Sequence, residues 1–406
     1  MPPPAGSAAH DHPVPLRATR ARVDLDRITA NFRAIRAALP GTAVFPVVKA
    51  NAYGHGAPAV ALALERAGAD SLCVALLEEG FELRRAGIGI PILVVGALTP
   101  AQIGAAVSER LIPAVYSVET LEAVEAAGSR AGRNAPYHLK LDTGMTRLGL
   151  PAAEMPALID RIEAGSGAEL AGIFSSLAAA DRPDDPQTRR QLAAFAEAVA
   201  VCERRGHAPG VRHLANSAAA EGIPHARWDA VRPGLLIYGI APIEGRPLIP
   251  VRPALSLVTE IVQVRDVPAG TAVGYGGSWI APGPRRLALI PAGYDDGLIR
   301  SLSNSGHGLV RGVRAPIVGR ISMDLAVLDV TDAGAVPAGE TVVLLGTSGD
   351  LEITAWSIAR AAGTIPWEIC SRIGGRVPRD YYSGGRRVGR WSRWSGPVSL
   401  AEETLV

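Results

Sequence analysis

The chain has 406 residues, 48% hydrophobic and 20% charged, with a formal net charge of +2. That length exceeds one ordinary core and calls for two domains or a barrel with an attachment, and the composition is that of a globular protein. Dispersed charge leaves no footprint for nucleic acid or an anionic membrane. No apolar run reaches the ~18–20 residues a membrane-spanning helix needs.

The opening MPPPAGSAAHDHPVP lacks a basic cluster followed by an apolar stretch, which argues against a secretory leader and for a Pro-rich tail over residues 1–17. From 18 to 244 the expectation is a barrel domain. Its short apolar runs are AVFPVVKA (43–50), SLCVAL (71–76), PILVVG (91–96), LIPAVYS (111–117), YHLKLD (137–142), ELAGIFSSL (169–177), VRHLANS (211–217) and GLLIYGI (234–240). Between them lie segments of helical period such as PAVALALERAGA, LLEEGFELRRAG and QLAAFAEAVAVCERRG. Eight strand-like runs separated by helices predict a (β/α)8 barrel, with a doubly wound open sheet as the competitor. The runs are apolar on both faces, as strands covered by helices must be.

From 245 to 390 the texture changes to alternating or β-branched segments between Gly/Pro turns, the pattern of a mostly antiparallel β domain. ITAWSIARAAG (353–363) reads as a short helix capped by Thr354. A first strand at about 20–25, overlapping the strand-like segment RVDLDR (22–27), is a candidate to join this second domain. The Arg/Gly/Trp-rich stretch after about 383 carries no signal, and 391–406 is expected to be a tail. Three cysteines without metal-like spacing cannot all pair, which fits a reduced cytoplasm, and no cluster of His, Cys and carboxylates suggests a metal.

All but two of the 41 basic residues are arginine, the exceptions being Lys49 and Lys140. Arginine keeps its proton, whereas lysine can lose one and act as an amine nucleophile. Two lysines surviving such a bias mark positions where arginine would fail. Lys49 ends the first run, in VVKANAYGHG, and residues at the C-terminal ends of barrel strands build the active site. A shielded amine there has a lowered pKa and can form a Schiff base.

VVKANAYGHG resembles the pyridoxal-phosphate attachment signature of the alanine racemase family. LKLDTGMTRLG (139–149), HLANSAA (213–219), RPGLLIYG (232–239), VGYGGSW (273–279), PAGYDDGL (291–298), GRISMD (319–324) and RVPR (376–379) follow in that family's order, from about residue 20 to 382. The resemblance implies a pyridoxal 5'-phosphate enzyme and a homodimer whose active sites each lie between the barrel of one subunit and the β domain of the other. It implies a racemase of amino acids, alanine by default, whose D-alanine would serve cell-wall synthesis.

By the same resemblance Lys49 would bind the cofactor covalently and act on one face of the substrate α-carbon, with Tyr275 of the partner on the other. Racemisation needs two such groups, one removing the α-proton and one delivering a proton to the far side. Arg232 would face the pyridine nitrogen. Because guanidinium keeps its proton, that nitrogen would stay unprotonated, a poorer electron sink that favours racemisation over transamination or elimination. Arg147 would reach the cofactor's phenolic oxygen and the substrate carboxylate. Lys140 matches a lysine carbamylated in many members of the family. Tyr53, Ser217, Gly234 and Leu235 would hold the phosphate, a role hydroxyls and a Gly-opened cluster of amides suit. Met323, Asp324 and Tyr294 would line the substrate entrance.

Two positions depart from the family's pattern. Ser176 stands where it has a histidine that stacks on the pyridine, and Trp367 where it has a tyrosine that binds the phosphate. Either the substrate preference is retuned toward another or a broader set of amino acids, or the changes are drift. Related lyases or decarboxylases fit less well because Tyr275 and Arg232 are both retained. A non-catalytic cofactor carrier would lack the β domain.

Overall fold

The computed structural model describes residues 17–164, 167–245 and 248–393. Of the two expected tails, residues 1–16 and 394–406 therefore lie outside the described residues. The chain divides into two compact units, one of residues 27–52 and 60–252, the other of residues up to 26, 53–59 and from 253 onward.

The first unit is built on eight parallel strands: Ala43–Val44, Leu72–Val74, Ile92–Val94, Ile112–Val115, Ala135–Asp142, Ala168–Phe174, Val211–His213 and Ala230–Val231. From the second onward each pairs with the next, the last pairs with the first, and an isolated parallel bridge between Val47, just past the first strand, and Cys73 of the second completes the ring. That closes the barrel and excludes an open sheet. Leu72–Val74 and Ile92–Val94 are buried at every residue, as continuous apolar runs covered on both faces should be. The helices between them carry the expected caps. Pro100 and Pro186 open two of them, where a missing N–H costs nothing, and Asp185 accepts from the Gln187 amide at 2.8 Å.

One expectation is corrected. The eighth strand is Ala230–Val231, and GLLIYGI instead folds as a 3-10 turn, Leu235–Tyr238. Pro233 has no ladder donor and Gly234 turns the chain. The run is apolar because it is enclosed on all sides, its four residues being at most 1% exposed, and not because it pairs in a sheet.

The second unit holds a sheet in the order Val313–Pro316, His307–Val310, Thr341–Ser348, Leu255–Glu260, Arg20–Asp24, Arg379–Ser383 and Arg386–Trp391. All pairs are antiparallel except Arg20–Asp24 with Arg379–Ser383. The segment RVDLDR thus contributes a central strand here, and the stretch after 383 supplies an edge strand. A three-stranded sheet of Gln263–Val267, Arg285–Ile290 and Ala326–Asp329 and a small hairpin, Ala272–Val273 with Trp279–Ile280, complete the β structure used below. The helix Ala355–Ala362 is capped by Thr354, whose hydroxyl accepts from the Ser357 amide at 2.9 Å.

Candidate active site

Lys49 opens a turn in which Ala50, Asn51, Ala52 and Tyr53 all have φ between 51° and 53°. None is glycine, and each L-residue in the left-handed region costs roughly 1–2 kcal/mol. The turn is held by the Ala52 amide donating to the Val48 carbonyl at 2.8 Å and the Ala50 amide donating to Glu79 Oε1 at 2.6 Å. Strain of this kind concentrates where function over-determines the backbone. Burial lowers the Lys49 pKa, Arg147 and Arg232 lower it further, and Glu79 and Cys73 oppose them. The result is an amine that gives up its proton more readily than an exposed lysine, the state a nucleophile or base requires.

His138, Lys140 and Asp142 alternate along Ala135–Asp142 and share one face of that strand. Burial brings Lys140 down to about 7, with Arg232, Arg147 and Lys49 adding to the effect. Its Nζ sits 4.4 Å from the centroid of Phe174. Asp142 Oδ1 accepts from the amides of Gly144, Met145 and Thr146 at 2.8, 2.9 and 3.1 Å, which fixes the loop that carries Arg147.

Arg232 is 7% exposed and tightly placed. Its Nη1 donates to His213 Nδ1 at 2.5 Å and to the His213 carbonyl at 2.9 Å. Its Nη2 donates to the carbonyls of Ser175 at 2.6 Å and Leu214 at 3.2 Å. His213 Nε2 in turn lies 2.7 Å from His138 Nδ1. Burial and the neighbouring guanidinium keep both imidazoles neutral, His138 at about 3 and His213 well below the ordinary histidine range. Because Arg232 can only donate, the His213 proton belongs on Nε2, where it is given to His138. Phe174 stacks on His213 at 4.9 Å, 5° from parallel. Gly172 makes room for the pair, since a Cβ there would come within 2.7 Å of the His138 ring.

Ser217, at the start of the helix Ser217–Gly222, accepts from the Gly234 amide at 2.9 Å. It thereby meets the N-terminus of the Leu235–Tyr238 turn, so hydroxyl and amides converge as a phosphate cradle would. Tyr53 is buried at the end of the left-handed turn. Ser176 is half-buried, its carbonyl accepting from Gln191 Nε2 at 3.0 Å.

The remaining expected residues belong to the second unit. Tyr275 is 72% exposed in the short turn of the Ala272–Ile280 hairpin, and Met323 and Tyr294 are also exposed. Arg376 binds the Met323 carbonyl at 3.0 Å, Asp324 at 2.7 Å and buried Asp296 at 2.8 Å. The amides of Tyr294 and Asp295 donate to the carbonyls of Ser322 and Met323 at 3.0 and 3.2 Å. Gly293 allows this contact, because a Cβ there would lie 2.3 Å from the Met323 carbonyl. Trp367 packs edge-to-face on Trp356, with centroids 6.5 Å apart.

Reasoning from sequence missed Glu79, His138, Phe174, His213, Asp296 and Arg376. A polar residue inside an apolar strand was the available signal for His138 and His213. Asp296 and Arg376 lie in the motifs PAGYDDGL and RVPR, but nothing local pairs two residues 80 positions apart.

Two family profiles match the chain: "Alanine racemase, N-terminal domain" over residues 23–242 and "Alanine racemase, C-terminal domain" over residues 254–381. The chain is 43% identical over 378 residues to the alanine racemase of Sorangium cellulosum, covering 90% of this chain and 99% of that protein. Among solved structures it is similar to the alanine racemase of D-cycloserine-producing Streptomyces lavendulae, at 40% identity and a TM-score of 0.87, covering 91% and 98% of the two chains. It is also similar to the Bartonella henselae alanine racemase with covalently bound pyridoxal phosphate, at 31% identity and a TM-score of 0.81, covering 90% and 99%.

Proposed function

Because the chain belongs to the alanine racemase family, we propose that it interconverts L- and D-alanine with pyridoxal 5'-phosphate, using Lys49 of one subunit and Tyr275 of a second copy. The observation that carries this reading is a lysine of lowered pKa at the mouth of a barrel, ringed by Arg147, Arg232 and Lys140.

The donor set fits the cofactor. Arg147 and Arg232 both act on Lys49 and Lys140, opposed by the carboxylates of Glu79 at Lys49 and Asp142 at Lys140, so the site favours an anionic guest. Lys49 would hold it through its amine. None of the bonds made by Arg232 uses its Nε–H, which remains as a donor for a ring nitrogen. Ser217, Gly234, Leu235, Tyr53 and Trp367 would bind the phosphate and Arg147 the phenolic oxygen. When bound, pyridoxal phosphate withdraws electrons from the amino acid's α-carbon and so makes its α-proton acidic.

The chain's own residues then move the proton. Lys49 Nζ, whose pKa burial and the neighbouring guanidiniums lower, takes the α-proton from one face of one enantiomer, and the Tyr275 hydroxyl delivers a proton to the opposite face. In the reverse direction the two exchange roles. Arg147 of one subunit, with Met323 and Asp324 of the second copy at the entrance beside its Tyr294, orients the substrate carboxylate. Lys140 is carbamylated in this reading. A neutral amine among guanidiniums gains by becoming an anion, and its pKa of about 7 leaves it unprotonated often enough to react.

Exposure of the large apolar side chains of Tyr275, Ile280, Met323 and Leu325 on the second unit supports a homodimer with shared sites. Among the described residues no helix is long and apolar enough to cross a membrane, and the three cysteines are buried thiols, consistent with a cytoplasmic enzyme. Ser176 and Trp367 favour a second reading, a broader or shifted substrate range.

The decisive test supplies the purified protein with pyridoxal phosphate and single L- and D-amino acids in heavy water. Alanine, serine, arginine and lysine come first, with α-proton exchange and chirality read together. Exchange with inversion from both enantiomers of alanine is expected. Exchange with serine or a basic amino acid instead would establish the second reading, and no exchange with any of them would overturn both.

A further inference from the structure

Glu79 lies in the first turn of the helix Leu77–Arg85. A glutamate at this place ordinarily spends its carboxylate on the amides at its own helix's start. Glu79 Oε2 does so, accepting from Leu76 at 3.1 Å and from Ala75 at 2.8 Å. Its second oxygen leaves the helix altogether and accepts from the Ala50 amide at 2.6 Å, 29 residues back in the chain. Ala50 is the first residue of the left-handed turn and the immediate neighbour of Lys49. One carboxylate thus joins the helix start, the end of the second barrel strand and the strained turn that aims the lysine.

We propose that Glu79 is the positioning residue of Lys49: it anchors the left-handed turn through the Ala50 amide and presents a negative charge to the amine. Four consecutive left-handed residues make a strained turn, and without an anchor it relaxes toward ordinary backbone. The Lys49 side chain would then swing off its line to the α-carbon. A misplacement of ~1 Å at a reacting group costs about 10²-fold in rate. The charge matters separately. The groups that act on the Lys49 amine are Arg147 and Arg232, which favour its neutral form, and Glu79 and Cys73, which oppose them. The Cys73 thiol is pushed up to about 12 by burial and stays neutral, so Glu79 supplies the anionic counterweight. Glu82, which is raised by burial and by Glu79, is the other carboxyl beside it.

The proposal rests on the assignment of Lys49 as the cofactor-bearing base, and the test separates the two. Wild type, Glu79→Gln and Glu79→Asp holoenzymes are compared by the pH profile of kcat, and by the fraction of chains carrying cofactor on Lys49 after borohydride reduction at graded pyridoxal phosphate, read by intact mass. Circular dichroism confirms that the variants are folded. In Glu79→Gln the loss of charge moves the acid limb to lower pH and kcat falls by up to about 10²-fold. In Glu79→Asp the charge stays but the shorter arm cannot span both sets of amides. There the limb stays close to that of wild type while kcat falls. Both variants need more cofactor for half-loading. A kcat loss with an unmoved limb in Glu79→Gln, or wild-type loading in both variants, would overturn the role of Glu79. A wild type that carries no adduct on Lys49 would overturn the assignment of the lysine itself, and the proposal with it.

Discussion

Arg232 Nη1 donates to Nδ1 of His213 across 2.5 Å, and His213 passes the chain of bonds to His138. A buried guanidinium is therefore held by a neutral imidazole and three carbonyls, with no carboxylate among the acceptors it meets. Its charge stays uncompensated by its own protein contacts, which suits a group whose work is to face a ligand and keep its proton.

His213→Leu should test that support. It removes the acceptor while filling similar space, and an unsatisfied buried donor costs roughly 1–3 kcal/mol. The expected result is a lowered Tm together with a reduced kcat at saturating cofactor, as the guanidinium turns to find another partner. Wild-type kinetics in a folded variant would mean that the three carbonyls suffice.

Lys140 gives a pH prediction. Carbamylation consumes the neutral amine, whose share rises as pH climbs through about 7. Adduct occupancy, read by native mass spectrometry in bicarbonate, should grow between about pH 6 and 8 and vanish in Lys140→Arg. The same variant should lose activity through a mis-set Arg147. Occupancy flat across this range would contradict the assigned pKa.

Tyr275→Phe removes a hydroxyl from an exposed ring and should leave folding and cofactor binding intact. Loss of a positioned acid or base costs typically 10²–10⁴-fold. Racemisation should fall by about that factor, while Lys49 still exchanges the α-proton of one enantiomer in heavy water. Full racemisation would sink the two-base scheme.

Asp296 has a fully buried carboxylate gripped by Arg17 at 2.5 Å and Arg376 at 2.8 Å. Both guanidiniums reach water at 28% exposure, so the partners are not equivalent. Replacing both arginines by alanine strands a buried charge and should cost ~3–5 kcal/mol. Asp296→Asn leaves its cations solvated and should cost less. Chemical denaturation of the two variants measures the order, and the reverse order would disprove the argument.

Trp367 packs on Trp356 and moves the polar handle of the position from a hydroxyl to an indole N–H. Trp367→Tyr should shift relative kcat/KM toward alanine over larger amino acids. An unchanged substrate profile would remove Trp367 as a determinant of specificity.

Much of this protein is written locally. Seven of the eight apolar runs fold as barrel strands, because parallel strands covered on both faces must be apolar throughout, while closure of the barrel was left to the structure. Lys49 and Lys140 stand out against an arginine-rich background because only lysine can offer a neutral amine. The sequence could not give the hand of the turn after Lys49, where only Asn51 of the four residues tolerates it readily and the others adopt it under constraint from Val48 and Glu79. Nor could it place the strand at Ala230–Val231, since enclosure makes a 3-10 turn as apolar as a strand. The imidazole relay behind Arg232 and the grip of Arg17 and Arg376 on Asp296 join residues 19 to 279 positions apart. Such bonds exist only once the strands have set their register. Residue types and their local periodicity are properties of the chain, whereas burial, strain and the pKa values that follow from them belong to its packing.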